Sequence, residues 1–389
     1  MLLPQQESQT TMKQSTQRIL TTHTGSLPRP ADLQQMLAAR DRGEPLDRGA
    51  FEARVRAAVQ EVVQQQARCG IDVVNDGEMS KISYSTYVKD RLTGFEGQST
   101  QPRTLPPDIA DFPGFAARLP AISQVSTMPA CNGPVRYRGQ AEVERDLANL
   151  ADALTGVQVA EAFLTAASPG VIALFLENQY YPTHEAYLSA LAEAMKEEYD
   201  AIVEAGFLLQ LDCPDLGVSR VRGEDWREDY RALHIQALNQ AVRDIPPDRQ
   251  RLHLCWGNYE GPHHRDIPLR TILPEVLEAR PEALSFEGAN PRHEHEWKVF
   301  EEIRLPEGKV IIPGVLDSTT NFIEHPELVA QRIERYASVV GREQVIAGTD
   351  CGFATFSGAL TVDPDITWAK LTAMVEGAQI ASGRLWPSS

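Results

Sequence analysis

The chain has 389 residues, 42% of them apolar and 23% charged, enough to bury a sizeable core as one large α/β domain or two smaller ones. Its formal net charge of −17 argues against a nucleic-acid partner or an anionic membrane surface, both of which call for a basic patch. No apolar run approaches the ~18 residues of a membrane helix, and five scattered cysteines do not read as a disulfide framework. A reducing cytoplasm is the expected setting, where cysteine serves as ligand, nucleophile or core.

Residues 1–15 are polar and lack the apolar centre of a signal peptide, so a disordered leader is expected ahead of a single domain over 16–389. The runs 18-RILTTHTGS-26 and 71-IDVVNDGE-78 read as two strands. From about 80 to 150 the rhythm breaks into stretches rich in Pro, Gly and Thr. A long irregular piece inside a compact domain is usually functional, and a lid-like excursion is expected here. Beyond 150, short apolar runs at 171–176, 207–212, 251–256, 283–287, 309–315 and 344–350 alternate with amphipathic stretches. The latter, at 184–206, 226–244, 268–280, 326–340 and 366–384, carry apolar residues at i, i+3, i+4 and i+7. Eight strand–helix units predict a (β/α)8 TIM barrel with an irregular insertion after the second strand.

In such barrels the chemistry sits at the C-terminal strand ends. The polar residues there are Ser26, Glu78, Asp212, His253 with Cys255, Glu287, Asp317, and Asp350 with Cys351. His253 and Cys255 are two apart on one strand and so point the same way. One nitrogen, two sulfurs and a carboxylate make a zinc set of His253, Cys255, Glu287 and Cys351, since zinc takes mixed ligands tetrahedrally. Thiolates argue against magnesium or calcium. The plainer readings stand beside this one. A lone buried cysteine is usually a small hydrophobe, which is the expectation for Cys69. A lone Glu after a strand is usually a helix N-terminal charge. His263, His264, His293 and His295 fall in polar segments and are expected on the solvated surface.

The segments 22-THTGSLPRP-30, 75-NDGE-78, 211-LDCP-214, 253-HLC-255, 285-SFEGAN-290 and 348-GTDCGF-353 run in an order that resembles the cobalamin-independent methionine synthase family. The similarity is to its short members, which contain only the catalytic barrel, and it covers nearly the whole chain from residue 18. It implies a zinc-dependent methyltransferase whose Zn2+ ligands are His253, Cys255, Glu287 and Cys351. The homocysteine-binding positions of the family map onto Thr24, Gly25, Ser26, Glu78 and Asp212. Zinc would deprotonate a coordinating thiol, giving a nucleophilic zinc thiolate, with Glu287 as the displaceable ligand. Glu78 and Asp212 would hold an α-ammonium through charge-assisted hydrogen bonds. The implied partners are a small-molecule thiol and a methyl donor, with no nucleic acid or membrane, in a monomer or homodimer.

The resemblance is uneven. Full-length members carry a His as proton donor two residues after the Asp of the seventh strand end, where this chain has Thr319. A Glu of theirs is replaced by Cys213, a folate-contacting Glu by Val218, and the Trp on which the pterin sits by Phe175. His23 is the best-placed substitute acid, with Asp317 and Tyr84 behind it. The chain also resembles epoxyalkane–coenzyme M transferases, which open an epoxide with a zinc thiolate, but their sulfonate thiol calls for Arg or Lys. Uroporphyrinogen-decarboxylase-like enzymes share the barrel without needing these ligands. A non-catalytic thiol- or zinc-binding protein has little use for an open coordination position.

Overall fold

The computed structural model describes residues 11–101, 105–118, 128–218, 228–358 and 360–387. Eight strands form one sheet: β1 (Leu20–Thr21), β2 (Val73–Val74), β3 (Glu161–Ala167), β4 (Leu208–Asp212), β5 (Gln250–Leu254), β6 (Ala283–Phe286), β7 (Val310–Leu316) and β8 (Ile346–Thr349). All neighbours pair in parallel, in the order β1-β8-β7-β6-β5-β4-β3-β2. A parallel bridge between Thr22 and Val73 joins the two ends of the sheet, so the expected (β/α)8 barrel is present. The strands are almost wholly buried because helices cover the outside, which explains why most read as continuous apolar runs.

The third strand differs from expectation. The run 171-VIALFL-176 belongs to a helix, Pro169–Phe175, and the strand precedes it. Ser168 caps that helix by accepting from Val171 N, and Pro169 occupies its first turn, where a missing N–H costs nothing. A short apolar run cannot be told from a buried helix by periodicity alone; here the cap and the proline decide. The remaining helices fall where the spacing puts them. Thr183 caps His184–Glu204, and the last two cover Pro326–Val340 and Pro364–Leu385.

The barrel floor is an apolar layer of Leu20, Val73, Phe163, Leu208, Ala283, Val310, Ile312 and Ile346, and Met12 packs into it from below. Ser15 Oγ donates to Val345 O at 2.6 Å. The expected leader is therefore corrected at its end: Met12 and Ser15 are buried parts of the barrel, and residues 1–10 lie outside the described residues. Above the floor the interior turns polar, with Thr165, Gln210 and Arg251 in register on adjacent strands.

Between β2 and β3 the excursion carries short pieces of structure, including strands Gly97–Gln98 and Pro129–Cys131, the latter paired with Glu177–Asn178. Tyr259, in the loop after β5, donates to Asp108, and Arg265 pairs with Asp111 at 2.5 Å, so the excursion reaches across the barrel mouth. Its last part is regular: Gln140–Ala153 is a helix that buries Val143, Leu150 and Ala153. No helix among the described residues is long and apolar enough to cross a membrane.

Candidate active site

Strand register brings the ligand residues together. Asp212, His253 and Ser285 are neighbours across β4, β5 and β6, all at the C-terminal end. Ligand atoms of His253, Cys255 and Cys351 lie within 4.8 Å of one another, all buried. The two sulfurs are 3.7 Å apart. Two thiolates at ~2.3 Å on a tetrahedral zinc ion would sit about 3.8 Å apart, so the spacing fits that metal. His253 Nδ1 lies 3.1 Å from Ser285 Oγ, whereas Nε2 is buried with no hydrogen-bond partner. With the proton on Nδ1 the Nε2 lone pair is left free, the arrangement a metal-ligating imidazole takes. Burial and nearby Arg251 push the His253 pKa down to about 3, so the ring is neutral. The Cys351 sulfur and burial hold the Cys255 thiol well above its ordinary value, and a bound cation is what would ionise it.

Glu287 stands beside these three and is not one of the close group. Its Oε1 accepts from Trp256 N at 2.7 Å and its Oε2 from Asn290 Nδ2 at 2.8 Å. Burial first, then the neighbouring Cys255, raises its pKa well above the carboxylate range. The turn that carries it is gripped by Asp350, whose two oxygens accept from Gly288 N, Ala289 N, Asn290 N and Asn290 Nδ2.

On the other side of His253 two carboxylates meet. Asp212 is buried; burial and the charge of Glu78 raise its pKa well above the ordinary value. Gln210 Nε2 donates to Asp212 Oδ1 at 3.1 Å and also to Thr24 O. Glu78 Oε1 accepts from Thr165 Oγ1 at 3.0 Å, while Oε2 is buried without a hydrogen bond, 3.8 Å from Arg29 Nη2. Glu78 is held at φ 59°, a left-handed conformation that a bulky residue adopts only when its surroundings impose it. Gly25 closes this corner: a Cβ there would come within 2.6 Å of Thr165 Cγ2 and 3.0 Å of Glu78 Oε1, at φ +149°. Ser26 abuts Gly352, and its carbonyl accepts from Phe353 N at 2.9 Å, tying the first loop to that of Cys351. The corner also holds buried cations: besides Arg29, Lys81 Nζ donates to Thr165 O at 2.5 Å.

The cobalamin-independent synthase catalytic-domain model matches residues 19–103 and 180–380. The chain belongs to that family. It is 25% identical over 367 residues to a methionine synthase of Saccharolobus islandicus, covering 94% of this chain and 95% of that one. It is likewise 25% identical over 385 residues to the uncharacterized protein YxjH of Bacillus subtilis, covering 95% and 96%. Among solved structures it resembles a B12-independent methionine synthase from Shewanella sp. W3-18-1 in complex with selenomethionine, at TM-score 0.71 and 21% identity over 95% and 99% of the two chains. A putative vitamin-B12-independent methionine synthase from Listeria monocytogenes aligns at TM-score 0.64 and 18% identity, over 93% and 98%. The barrel is thus the fold of those catalytic domains, and the family is one of methyltransferases.

Within this family member the residues weighed as proton donors are placed as follows. His23 is buried; its Nε2 lies 2.8 Å from Gln66 Oε1 and its ring packs against Phe163. Burial drives its pKa down to about 4, so it is neutral near pH 7. Asp317 accepts from Thr319 N, Thr319 Oγ1 and Thr320 Oγ1 at 2.8, 2.7 and 3.0 Å. Tyr84 lies near Cys255, Cys351 and Asp212, and burial followed by those neighbours raises its phenol well above the ordinary value. Cys213 is buried, its thiol facing Leu211 O at 3.5 Å, and Cys69 is half-buried core.

One surface expectation is corrected. His293 is buried between Glu296 Oε2 at 2.7 Å and Asp266 Oδ2 at 3.2 Å, stacked on Trp256 at 4.3 Å. Desolvation opposes its charge, but the two acids lift its pKa to about 10. Sequence reasoning also missed Arg251. It is buried under the site, over the Phe163 ring at 4.0 Å, with Nη1 donating to Thr22 Oγ1 at 3.1 Å. The signal was available: Arg251 precedes His253 by two residues and so shares its inward face.

Proposed function

We propose that the chain is a zinc-dependent S-methyltransferase for homocysteine or a close amino-acid thiol. The observation that carries the reading is the pair of buried sulfurs 3.7 Å apart, grouped with His253, whose Nε2 has no hydrogen-bond partner. His253, Cys255 and Cys351 would hold the metal, with Glu287 beside Cys255 as the exchangeable fourth ligand. Zinc, when bound, supplies the charge that keeps a substrate thiol deprotonated at neutral pH.

The remaining work belongs to the chain. Glu78 and Asp212 would take the α-ammonium, with Thr165 and Gln210 fixing their orientation through the bonds described. The Thr24–Ser26 loop closes over this corner, and Gly25 leaves room for the Glu78 carboxylate. Tyr84, half-buried near the sulfurs, would help to keep water from them. No proton transfer is assigned to His23, which is neutral and turned to Gln66.

The experiment is Cys255→Ser. The variant is expected to stay folded, since the barrel core lies below the site, to lose most of its zinc, and to lose methyl transfer to homocysteine. One equivalent of zinc with normal turnover would refute the assignment.

A further inference from the structure

We infer that His293 is a positioning residue for the metal site: held between two carboxylates, it keeps Glu287 in place beside Cys255. This rests on the zinc reading above, with Glu287 as the fourth ligand. Glu287 and Cys351 stand in the wall of a cavity of about 350 Å³ bounded by the loops after β5, β6, β7 and β8. Cys255 follows β5 and Glu287 follows β6, so their spacing depends on what fastens those two segments together.

Both oxygens of Glu287 accept hydrogen bonds, and His293 touches both donors. Oε1 accepts from Trp256 N, and the imidazole of His293 lies on the Trp256 indole with ring centres 4.3 Å apart and planes tilted by 30°. Oε2 accepts from Asn290 Nδ2, and His293 N donates to Asn290 Oδ1 at 3.1 Å, which turns that amide so that its NH2 meets the carboxylate. Trp256 directly follows Cys255, and its Nε1 donates to Ile267 O at 2.8 Å. A shift of the indole would therefore disturb both the backbone next to a sulfur ligand and the N–H that holds a carboxylate one.

Two acids fix the ring itself. Nδ1 lies 2.7 Å from Glu296 Oε2 and Nε2 lies 3.2 Å from Asp266 Oδ2, so each nitrogen donates to a carboxylate and the ring keeps both protons. All three side chains are buried. Asp266 belongs to the segment after β5, and Glu296 Oε1 accepts from Leu269 N at 2.7 Å in the same segment. His293, from the segment after β6, is thus plugged into the one that carries Cys255 and Trp256. Buried ion pairs add little to stability over an apolar filling. What this one supplies is a cationic ring at a set position, on which the indole face stacks.

The test is a set of zinc titrations of the whole chain against a chromophoric chelator, with Glu287 intact and with Glu287→Ala. His293→Gln is expected to lower zinc affinity about 10- to 100-fold when Glu287 is present. In the Glu287→Ala background the same substitution should change affinity by no more than about twofold, because the group it acts through is already gone. The ligand-field bands of the cobalt-loaded protein should shift with His293→Gln in the first background only. A residue that merely supported the barrel would weaken zinc equally in both backgrounds, and that result overturns the inference. So does an undiminished affinity in the single variant. If His293→Gln does not fold by circular dichroism, His293→Gln with Glu296→Gln, which removes one buried charge of each sign, takes its place. Failure of both to fold makes His293 part of the scaffold and likewise overturns the inference. Wild-type protein that takes up no zinc, or whose affinity Glu287→Ala leaves unchanged, overturns the ligand reading itself, and this inference with it.

Discussion

Asp212→Asn separates two consequences of the acid pair that have opposite signs. The substitution keeps the shape of the side chain and an oxygen to accept from Gln210, 3.1 Å away, and removes one negative charge. With an ammonium bound, a hydrogen bond to a charged group contributes about 1.5–3 kcal/mol, so homocysteine affinity should fall about 10- to 150-fold. The analogue 4-sulfanylbutanoate, which lacks the amino group, should lose little. In the free protein the charge is a liability, because burial and then Glu78 raise the folded-state pKa of Asp212 well above its unfolded value. A carboxyl raised in this way contributes stability below the unfolded pKa and loses it as pH rises through the folded one. The Asn variant should therefore melt above the wild type at pH 7.5 without thiol, with the gain shrinking toward pH 4. Calorimetric titration of both thiols and a melting series across pH measure the two effects. An equal loss for homocysteine and its des-amino analogue would refute the ammonium assignment, and a lower melting temperature at pH 7.5 would refute the account of the charge.

Asp350→Asn swaps an acceptor-only carboxylate for an amide that cannot serve all four donors of the Gly288–Asn290 turn; zinc affinity, read by competition with a chelator, should drop about 10- to 100-fold with the fold retained. His23→Gln should leave the shape of the rate–pH profile between pH 5.5 and 8.5 unchanged, since a group with pKa about 4 does not titrate there; loss of a limb of that profile would restore His23 as the acid. Met12→Ala should cost about 2–5 kcal/mol by opening the barrel floor, visible as a lower urea midpoint, whereas an unchanged midpoint would mean the methionine packs only loosely.

Much of this was legible because the barrel reports itself twice. Buried parallel strands read as apolar runs of four to seven residues, and functional residues punctuate their C-terminal ends. His253 and Cys255 stood out as candidate ligands two residues apart at the end of an apolar strand, and the fold brings them together with Cys351. What stayed hidden depended on partners distant in sequence. The third strand was mistaken because 171-VIALFL-176 is buried all round, and the deciding cap lies in Ser168 and Pro169. His293 sits in a polar run, yet its neighbours are Asp266 and Trp256, brought from the preceding unit. Asp350 appeared as one more strand-end acid, and only the closed barrel shows it gripping the Glu287 turn across from β8. The helix Gln140–Ala153 was lost in a segment judged by its prolines, although Val143, Leu150 and Ala153 keep helical spacing.

The division of the mouth explains how one half of the resemblance can be intact while the other is altered. The acid pair and its supports come from the loops and strand ends of β1 to β4: Gly25, Glu78, Thr165 and Asp212. The ligand cluster and the cavity come from β5 to β8: Cys255, Glu287, Asp317 with Thr319, and Cys351. The two halves meet at the register pair Asp212–His253, where a binding residue and a metal ligand are adjacent on paired strands. Loops on a rigid barrel can change without disturbing the strands that carry their neighbours. Thr319 therefore lies in a half of the mouth that can vary while the Glu78–Asp212 pair and the sulfurs stay where the strands hold them. Glu78 Oε2, 3.8 Å from Arg29 Nη2, and His253 Nε2 are both buried without a hydrogen bond, a cost in stability that a bound ligand would relieve.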